Sequence, residues 1–170
     1  MRTSAFIAPM LALFGFAALR PFCAFAEEPR FDSAYTDLAK DCRAAFAAAE
    51  IEEGQDMPLR CAGPAGYALY LYFSAEDAYL QVESTDDGAP QLAQPLKLSD
   101  VDRGKAEWRL ADGVPFAIIV RVRGGEGHTL ELRGIGAYRA MSDSIDTARR
   151  SSANADARSV ADDEFLRAQR

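Results

Sequence analysis

Two short stretches of the chain, residues 67–73 and 78–84, alternate large apolar side chains with other residues at a period of two. That period places successive side chains on opposite faces of a β-strand. If the four residues between the stretches form a loop, Leu71 lies opposite Leu80 and the apolar groups of both strands meet on one face. The pattern therefore predicts an antiparallel β-hairpin with a fixed register.

The same register brings three tyrosines together on the second face of this hairpin. Tyr72 lies opposite Tyr79, and Tyr70 is a neighbour on the same strand as Tyr72. Large exposed patches are uncommon on monomers, which favours a cover formed by the C-terminal helix or by residues 27–41. Tyrosine is also a frequent anchor in binding sites, so an uncovered face would be a candidate surface for a partner.

A second hairpin is predicted where apolar residues alternate on both sides of the glycine-rich residues 124–128. Taking these residues as the loop pairs Val120 with Leu132. It also places Arg121 opposite Glu131 on the outer face, an opposite-charge pair that stabilises by about 0.5 kcal/mol. A slip by one residue would place Val120 against Glu131, which the alternation argues against.

Two further stretches fit strands of the same sheet. Residues 96–98 are a short apolar alternation, and residues 105–110 place Trp108 on one face with charged side chains on the other. The dipeptide Asp112-Gly113 that follows is typical of a tight turn. We expect Trp108 to lie in the core.

The two ends of the β-rich part differ from it in pattern. Residues 27–41 carry apolar side chains at near-helical spacing and predict a short helical or irregular segment that docks on the core. Residues 142–170 are rich in Ala, Arg, Ser and Asp, and Asn154 is of a type favoured at N-caps. We expect a helical C-terminal segment that packs weakly and has a mobile end. Together the elements predict an α+β fold, with an antiparallel, curled or barrel-like β-sheet in residues 27–141 followed by this segment.

The first 26 residues have the composition of a cleaved signal peptide. Arg2 precedes an apolar stretch, residues 6–19, and Ala24 and Ala26 supply small residues before the expected cut. The apolar stretch has 14 residues, whereas a membrane-spanning helix needs about 20. The alternative is a retained membrane anchor. The pattern favours export to the periplasm and no membrane span after cleavage.

Removal of residues 1–26 leaves two of the three cysteines, Cys42 and Cys61. Two cysteines in an exported protein usually pair. A disulfide between them closes a loop of about 20 residues and would stabilise the fold by about 3 kcal/mol on the chain-entropy model. Their spacing does not suit a redox pair, and without histidines they make a poor zinc site.

The remaining chain is strongly acidic. Its formal charge is −9, because the cut removes Arg2 and Arg20 from a chain whose net charge is −7. This balance argues against nucleic acid and against anionic membrane surfaces as partners.

The sequence contains no recognisable catalytic or cofactor motif. His128, the only histidine, falls in the predicted glycine-rich loop with no serine motif nearby, so we interpret it as a solvated turn residue. Acidic groups such as Asp86-Asp87 lack the spacing of a calcium loop. The glycines of residues 124–127 join two strands, whereas a dinucleotide loop joins a strand to a helix. We therefore predict no cofactor, no metal site and no catalytic residue.

Short motifs are spread along the chain: residues 31–36, Asp41-Cys42, Leu59-Arg60-Cys61 with Gly63 and Gly66-Tyr67, residues 107–110 and 115–119, and residues 154–157 through 160–162. This set resembles a family of small uncharacterised exported proteins of alphaproteobacteria. The resemblance implies a periplasmic location and supplies no catalytic residues. Extra cysteines common in that family are absent here, so no second bridge is expected. A fold-level likeness to periplasmic lysozyme inhibitors rests on a cysteine and glycine before a β-hairpin.

These features favour a non-enzymatic periplasmic binding or interaction module. Its candidate binding residues are Tyr70, Tyr72 and Tyr79, and its partner would be an envelope protein or a small ligand. One alternative is a small hydrolase whose carboxylates converge only in the fold, which two acidic side chains of raised pKa in one pocket would favour. The other is a structural subunit of an envelope assembly, which a large exposed apolar patch would favour.

Overall fold

The computed structural model describes residues 28–47, 56–74, 77–98, 104–124, 127–148 and 151–170, so the predicted signal peptide lies outside the described residues. They form two five-stranded antiparallel sheets and a C-terminal helix, which confirms the predicted α+β class. The strands do not form one curled or closed sheet, because they divide into two open sheets that share a core.

In chain order the elements are β1 (Phe31–Asp37), β2 (Cys42–Ala44), β3 (Leu59–Ala62), β4 (Tyr67–Ser74), β5 (Asp77–Ser84), β6 (Leu96–Leu98), β7 (Lys105–Ala111), β8 (Val114–Gly124), β9 (Gly127–Gly134), β10 (Ser142–Asp146) and α1 (Ala153–Ala168). Sheet A has the strand order β1-β7-β8-β9-β10, and sheet B has the order β2-β3-β4-β5-β6. Within the described residues, no helix combines the length and the apolar sequence that a membrane crossing requires.

Sheet A is the middle of three layers. On one face its Trp108 and Ile118 pack with Leu69 and Leu80 of sheet B in a core that both sheets share. On its other face, Phe116 and its neighbours pack against α1 in a second core. The central strands of sheet A are therefore buried on both faces, whereas sheet B contributes one face to a core.

The first predicted hairpin is confirmed pair by pair. Leu71 pairs with Leu80 and Tyr72 with Tyr79, as β4 and β5 lie side by side in sheet B. The disulfide between Cys42 and Cys61 is also present, joining directly paired positions of β2 and β3. Of the two cysteines, Cys61 is fully buried in the shared core.

The second hairpin is present, but its predicted register is wrong by one residue. Val120 pairs with Glu131, and Arg121 pairs with Leu130. Gly124 pairs with Gly127, so the loop is shorter than predicted. The prediction assumed one buried face, but β8 is buried on both faces, which removes the alternation argument for a single register.

The segment 27–41 is not helical, because Phe31–Asp37 forms an edge strand paired with β7. The sequence does not show the apolar alternation typical of a strand here, because the side chains that face sheet B are small or polar. Thr36 is one of them and is buried: its hydroxyl accepts a hydrogen bond from Trp108 Nε1 (2.9 Å) and donates one to the carbonyl of Ala62 (2.8 Å).

The C-terminal segment is helical only in its second part. Residues Ser142–Asp146 form β10, the edge strand of sheet A, and α1 has Ser152 rather than Asn154 at its N-cap. The expected weak packing is also wrong. Phe165 packs against Phe116 and Tyr138, with ring centroids 4.7 and 4.8 Å apart. Small residues at helical spacing let α1 approach the sheet closely, and the buried face is formed by Ala153, Ala157, Ala161 and Phe165.

Candidate functional site

The three candidate tyrosines form a stacked row on the outer face of sheet B. The rings of Tyr72 and Tyr79 lie 5.4 Å apart at 16°, and those of Tyr70 and Tyr72 lie 5.9 Å apart at 30°. Alternation along β4 and β5 sends these side chains away from the shared core, into which Leu71 and Leu80 point. We call Tyr70, Tyr72 and Tyr79 together the tyrosine face.

Neither cover that the sequence suggested lies over the tyrosine face. Strand β1 belongs to sheet A, and α1 packs against β8, β9 and β10 of that same sheet. The three tyrosines are partly exposed, each in an intermediate state between buried and open. Among the residues that the structure describes, neither of these elements covers the tyrosine face, which lies on the side of sheet B opposite to α1.

The stack leaves polar groups available at its surface. At these centroid distances the rings overlap in an offset arrangement, so part of each ring face is taken up by its neighbour. Within the described part of the chain, the hydroxyls of Tyr70 and Tyr72 make no hydrogen bond, and the hydroxyl of Tyr79 lies 3.5 Å from Asp77 Oδ2. The tyrosine face thus offers apolar ring edges together with hydroxyl donors and acceptors.

Two ion pairs flank the tyrosine face. Lys97, which pairs with Tyr79 in the sheet, places its Nζ 2.7 Å from Asp77 Oδ2. Arg60, which pairs with Tyr70, places a guanidinium nitrogen 3.8 Å from Glu83. A partner would therefore meet an aromatic centre bordered by charges of both signs.

Burial raises the pKa of both ionisable groups at the Tyr70 end of the tyrosine face, Glu83 and Tyr70 itself. Burial raises the pKa of Glu83, against the lowering effect of Arg60. Burial, with the charge of Glu83 next and then Tyr72, raises the pKa of the Tyr70 phenol above its ordinary value. At neutral pH the Tyr70 hydroxyl is therefore a hydrogen-bond donor as well as an acceptor.

A small cavity adjoins Tyr70. It has a volume of about 300 Å³, and its walls include Phe46, Arg60, Glu83 and Thr85. Phe46 is 46% exposed, and Arg60 Nε is a buried donor with no hydrogen-bond partner among the described residues. The sequence did not identify this group, because Arg60 reaches Tyr70 through the pairing of β3 with β4, and Phe46 follows β2, which pairs with β3.

A second group of charged residues meets between sheet A and α1. Arg158 binds Glu107 with Nε 2.6 Å from Oε1, and Arg109 binds Asp162 with Nη2 2.6 Å from Oδ2. Ser33 joins the two pairs, because its hydroxyl donates to Glu107 (2.6 Å) and accepts from Arg109 (2.7 Å). Each carboxylate is already held by an arginine, so the group fastens α1 to the sheet and offers no free acid–base pair to the hydrolase alternative.

The other predicted candidates do not form a site. His128 lies in β9 opposite Arg123 and not in a loop, and its carbonyl accepts a hydrogen bond from Thr147 Oγ1 at 2.7 Å. Asp87 stabilises a turn, and its hydrogen bond from the backbone of Ala89 is the leading cause of its lowered pKa. No group of three or more His, Cys, Asp or Glu side chains in the described ranges is placed to hold a metal ion.

Exposed large apolar side chains are scattered. Among the described residues they are Tyr35 in β1, Phe46 after β2 and Val114 at the start of β8. The described residues therefore give no support to the structural-subunit alternative, which a large exposed apolar patch would favour.

The fold and site define a two-sheet α+β protein with a C-terminal helix and an accessible aromatic sheet face. No protein-family model, curated protein or solved structure matches the chain.

Proposed function

We propose that the protein is a non-enzymatic binding module of the bacterial periplasm that binds a protein partner through the tyrosine face. The observation that carries the proposal is the stack of Tyr70, Tyr72 and Tyr79 on the outer side of sheet B, where the hydroxyls of Tyr70 and Tyr72 make no hydrogen bond to any described residue. Tyrosine suits such a role because its ring is large and rigid, and its hydroxyl bonds to peptide groups.

The partner is a polypeptide because the surface mixes three kinds of contact. Ring edges suit apolar side chains, hydroxyls suit backbone amides, and the flanking pairs Arg60–Glu83 and Lys97–Asp77 suit charged side chains at the rim of an interface. The acidic balance of the chain, −7 in full, argues against the nucleic acids that also stack on aromatic residues.

Export supplies the setting for this interaction. The proposal of a periplasmic location is supported by the composition of residues 1–26, by the Cys42–Cys61 disulfide and by the resemblance to exported alphaproteobacterial proteins. A disulfide persists in an oxidising compartment such as the periplasm.

Replacing Tyr70 and Tyr72 with alanine is expected to abolish partner capture from an envelope extract. A tyrosine hot spot contributes about 2 kcal/mol, so each single substitution should weaken binding about thirtyfold. The measurement is affinity capture with immobilised protein lacking residues 1–26, followed by titration of the captured protein against each variant.

Tyr35→Ala is the matched control, because it removes a tyrosine that is 52% exposed on the other sheet. Capture should be equal for the wild type and this control. Equal capture by the Tyr70→Ala and Tyr72→Ala variants, with unchanged circular dichroism, would show that the tyrosine face is not the binding surface.

The native protein, isolated from its own cells, is expected to start at Glu27 and to contain the Cys42–Cys61 disulfide. Intact-mass spectrometry with and without reduction measures both features, because the chain without residues 1–26 should gain the mass of two hydrogens on reduction. A native mass that includes residues 1–26, or one that does not change on reduction, would contradict the proposed location.

A further inference from the structure

Sheet A extends past the edge of sheet B and leaves an open cleft between the two sheets. The inner face of β9 and β10 therefore lacks a partner sheet, and it carries polar residues where β7 and β8 carry apolar ones. The cleft has a volume of about 560 Å³. This volume lies within the range of sites that hold small molecules.

The cleft has one apolar wall and one polar wall. Residues 92–97, which lead into the edge strand β6, supply Leu92 and Leu96, and Met141 closes one end. These three side chains are almost fully buried in the two cores, so the apolar surface that is open to the cleft comes from its exposed lining residues Ala93, Pro95 and Ala140. Glu131 and Arg133 of β9 form the opposite wall.

Hydrogen bonds fix the polar wall before any ligand arrives. Glu131 accepts hydrogen bonds from Ser144 Oγ and Arg133 Nη2, both at 2.7 Å. Arg133 also donates to the carbonyl of Leu132 at 2.8 Å. Because these side chains are already held in place, binding a ligand does not cost the entropy of ordering them, which favours affinity.

The two sheets are also tied together beside the cleft. The backbone N–H of Gly136 donates to the carbonyl of Gln91 at 3.0 Å. Gly136 has a φ of +59°, a left-handed conformation that glycine adopts at little cost. The tie keeps residues 92–97 at a fixed distance from β9.

Charge makes the cleft attractive to anions although the whole chain is acidic. Three cationic side chains line it, Lys97, Arg133 and Arg139, against the single carboxylate of Glu131. Lys97 is paired with Asp77, and Arg133 with Glu131. Within the described ranges the guanidinium of Arg139 has no ion-pair partner, so Arg139 supplies an uncompensated positive charge.

We propose that this cleft binds a small amphipathic organic anion. The carboxylate of the ligand pairs with Arg139, and its hydrocarbon part lies on Ala93, Pro95 and Ala140. The cleft faces the space between the sheets, whereas the tyrosine face lies on the outer side of sheet B. The two sites share only Lys97, which flanks the tyrosine face and lines the cleft, and the cleft proposal does not depend on the proposed protein partner.

Titration of the isotope-labelled protein with hexanoate tests the proposal by amide NMR. Hexanoate should shift the amides of residues 92–97 and 139–142 in a saturable manner, while 1-hexanol, which has the same chain and no charge, should bind at least about tenfold more weakly. Raising the salt concentration should weaken hexanoate binding, since the arginine is exposed.

Arg139→Gln separates this proposal from a general effect of charge. Because Arg139 is exposed, the variant should keep its fold and lose hexanoate affinity by at least about tenfold. Arg30→Gln is the matched control, since Arg30 precedes β1 at the opposite edge of sheet A and its loss should leave affinity unchanged. Absence of saturable shifts in the cleft, equal binding of hexanol, or equal affinity of both variants would overturn the proposal.

Discussion

Replacing Trp108 with alanine is expected to lower the free energy of unfolding by about 3–5 kcal/mol. The indole is fully buried in the core that the two sheets share. Removing it leaves a cavity between sheets that are held apart by many other side chains and cannot close around the gap. The loss therefore combines the transfer free energy of the ring with the cost of the cavity.

A hydrogen bond adds to the effect. Trp108 Nε1 donates to Thr36, and Thr36 donates to the carbonyl of Ala62 in β3, so the indole stabilises a polar link from sheet A to sheet B. Gly63 matches the ring from the other side, because a Cβ there would lie 2.5 Å from Trp108 Cζ2. The alanine variant therefore removes the hydrogen-bond donor to Thr36 and also the ring surface that packs against Gly63.

Urea denaturation followed by far-UV circular dichroism measures the change, since Trp108 is the only tryptophan and its fluorescence disappears with it. Trp108→Phe should lose less than the alanine variant, because a phenyl ring fills part of the space. Val114→Ala, at a position that is 59% exposed, should stay within about 0.5 kcal/mol of the wild type. A loss for Trp108→Ala as small as that control would contradict the assignment of Trp108 to the core.

The sequence predicted β4 and β5 in full detail because only one face of sheet B is buried. Each residue of this hairpin has a binary choice between core and surface, and the alternation of Leu69, Leu71 and their partners records that choice. The same register placed Tyr72 beside Tyr79, so the grouping of the tyrosines was predictable from local pattern. Their position relative to α1 and β1 was not, because the sequence favoured a cover by the C-terminal helix or by residues 27–41.

The second hairpin was not predictable by that reasoning, because it lies in the middle layer. Ile119 faces α1 while Val120 faces sheet B, so β8 is apolar on both faces and alternation no longer identifies a register. Glu131 can lie opposite Val120 because β9 reaches past the edge of sheet B into the polar cleft. The pairing of Val120 with Glu131 thus depends on the relative widths of the two sheets, which no local sequence pattern indicates.

The charged group between α1 and sheet A could not be predicted from the sequence for a different reason. The spacing of Arg158 and Asp162 places both on one side of a helix. Their partners Glu107 and Arg109, however, lie more than 50 positions away in the chain, in a strand whose charged face resembles a solvated one. The sequence shows two charged residues at helical spacing and two at strand spacing, but no local pattern indicates that the two pairs contact each other.

Replacing Arg109 with methionine is expected to destabilise the protein by about 3 kcal/mol and to loosen α1 from sheet A. Arg109 is 5% exposed, and its guanidinium donates to both carboxylate oxygens of Asp162 and to the carbonyl of Asp32. Methionine fills similar space without these donors, so it leaves a partly buried carboxylate and a carbonyl unpaired.

The effect should concentrate on the helix because Asp162, the partner of Arg109, belongs to α1. The buried face of α1 consists of Phe165 and three alanines. Ion pairs with sheet A therefore add to the attachment that this apolar face provides. Amide hydrogen exchange should show faster exchange in α1 than in the wild type, while β4 and β5 of sheet B keep their protection.

A double-mutant cycle distinguishes this coupling from simple loss of an arginine. The double variant Arg109→Met/Asp162→Leu should lose less stability than the sum of the two single losses, because removing both partners leaves no unpaired charge. Arg167→Met is the matched control on the same helix, since Arg167 pairs with Glu164 at an exposed position and should lose less than about 1 kcal/mol. Strictly additive losses in the double variant would show that Arg109 and Asp162 do not stabilise each other.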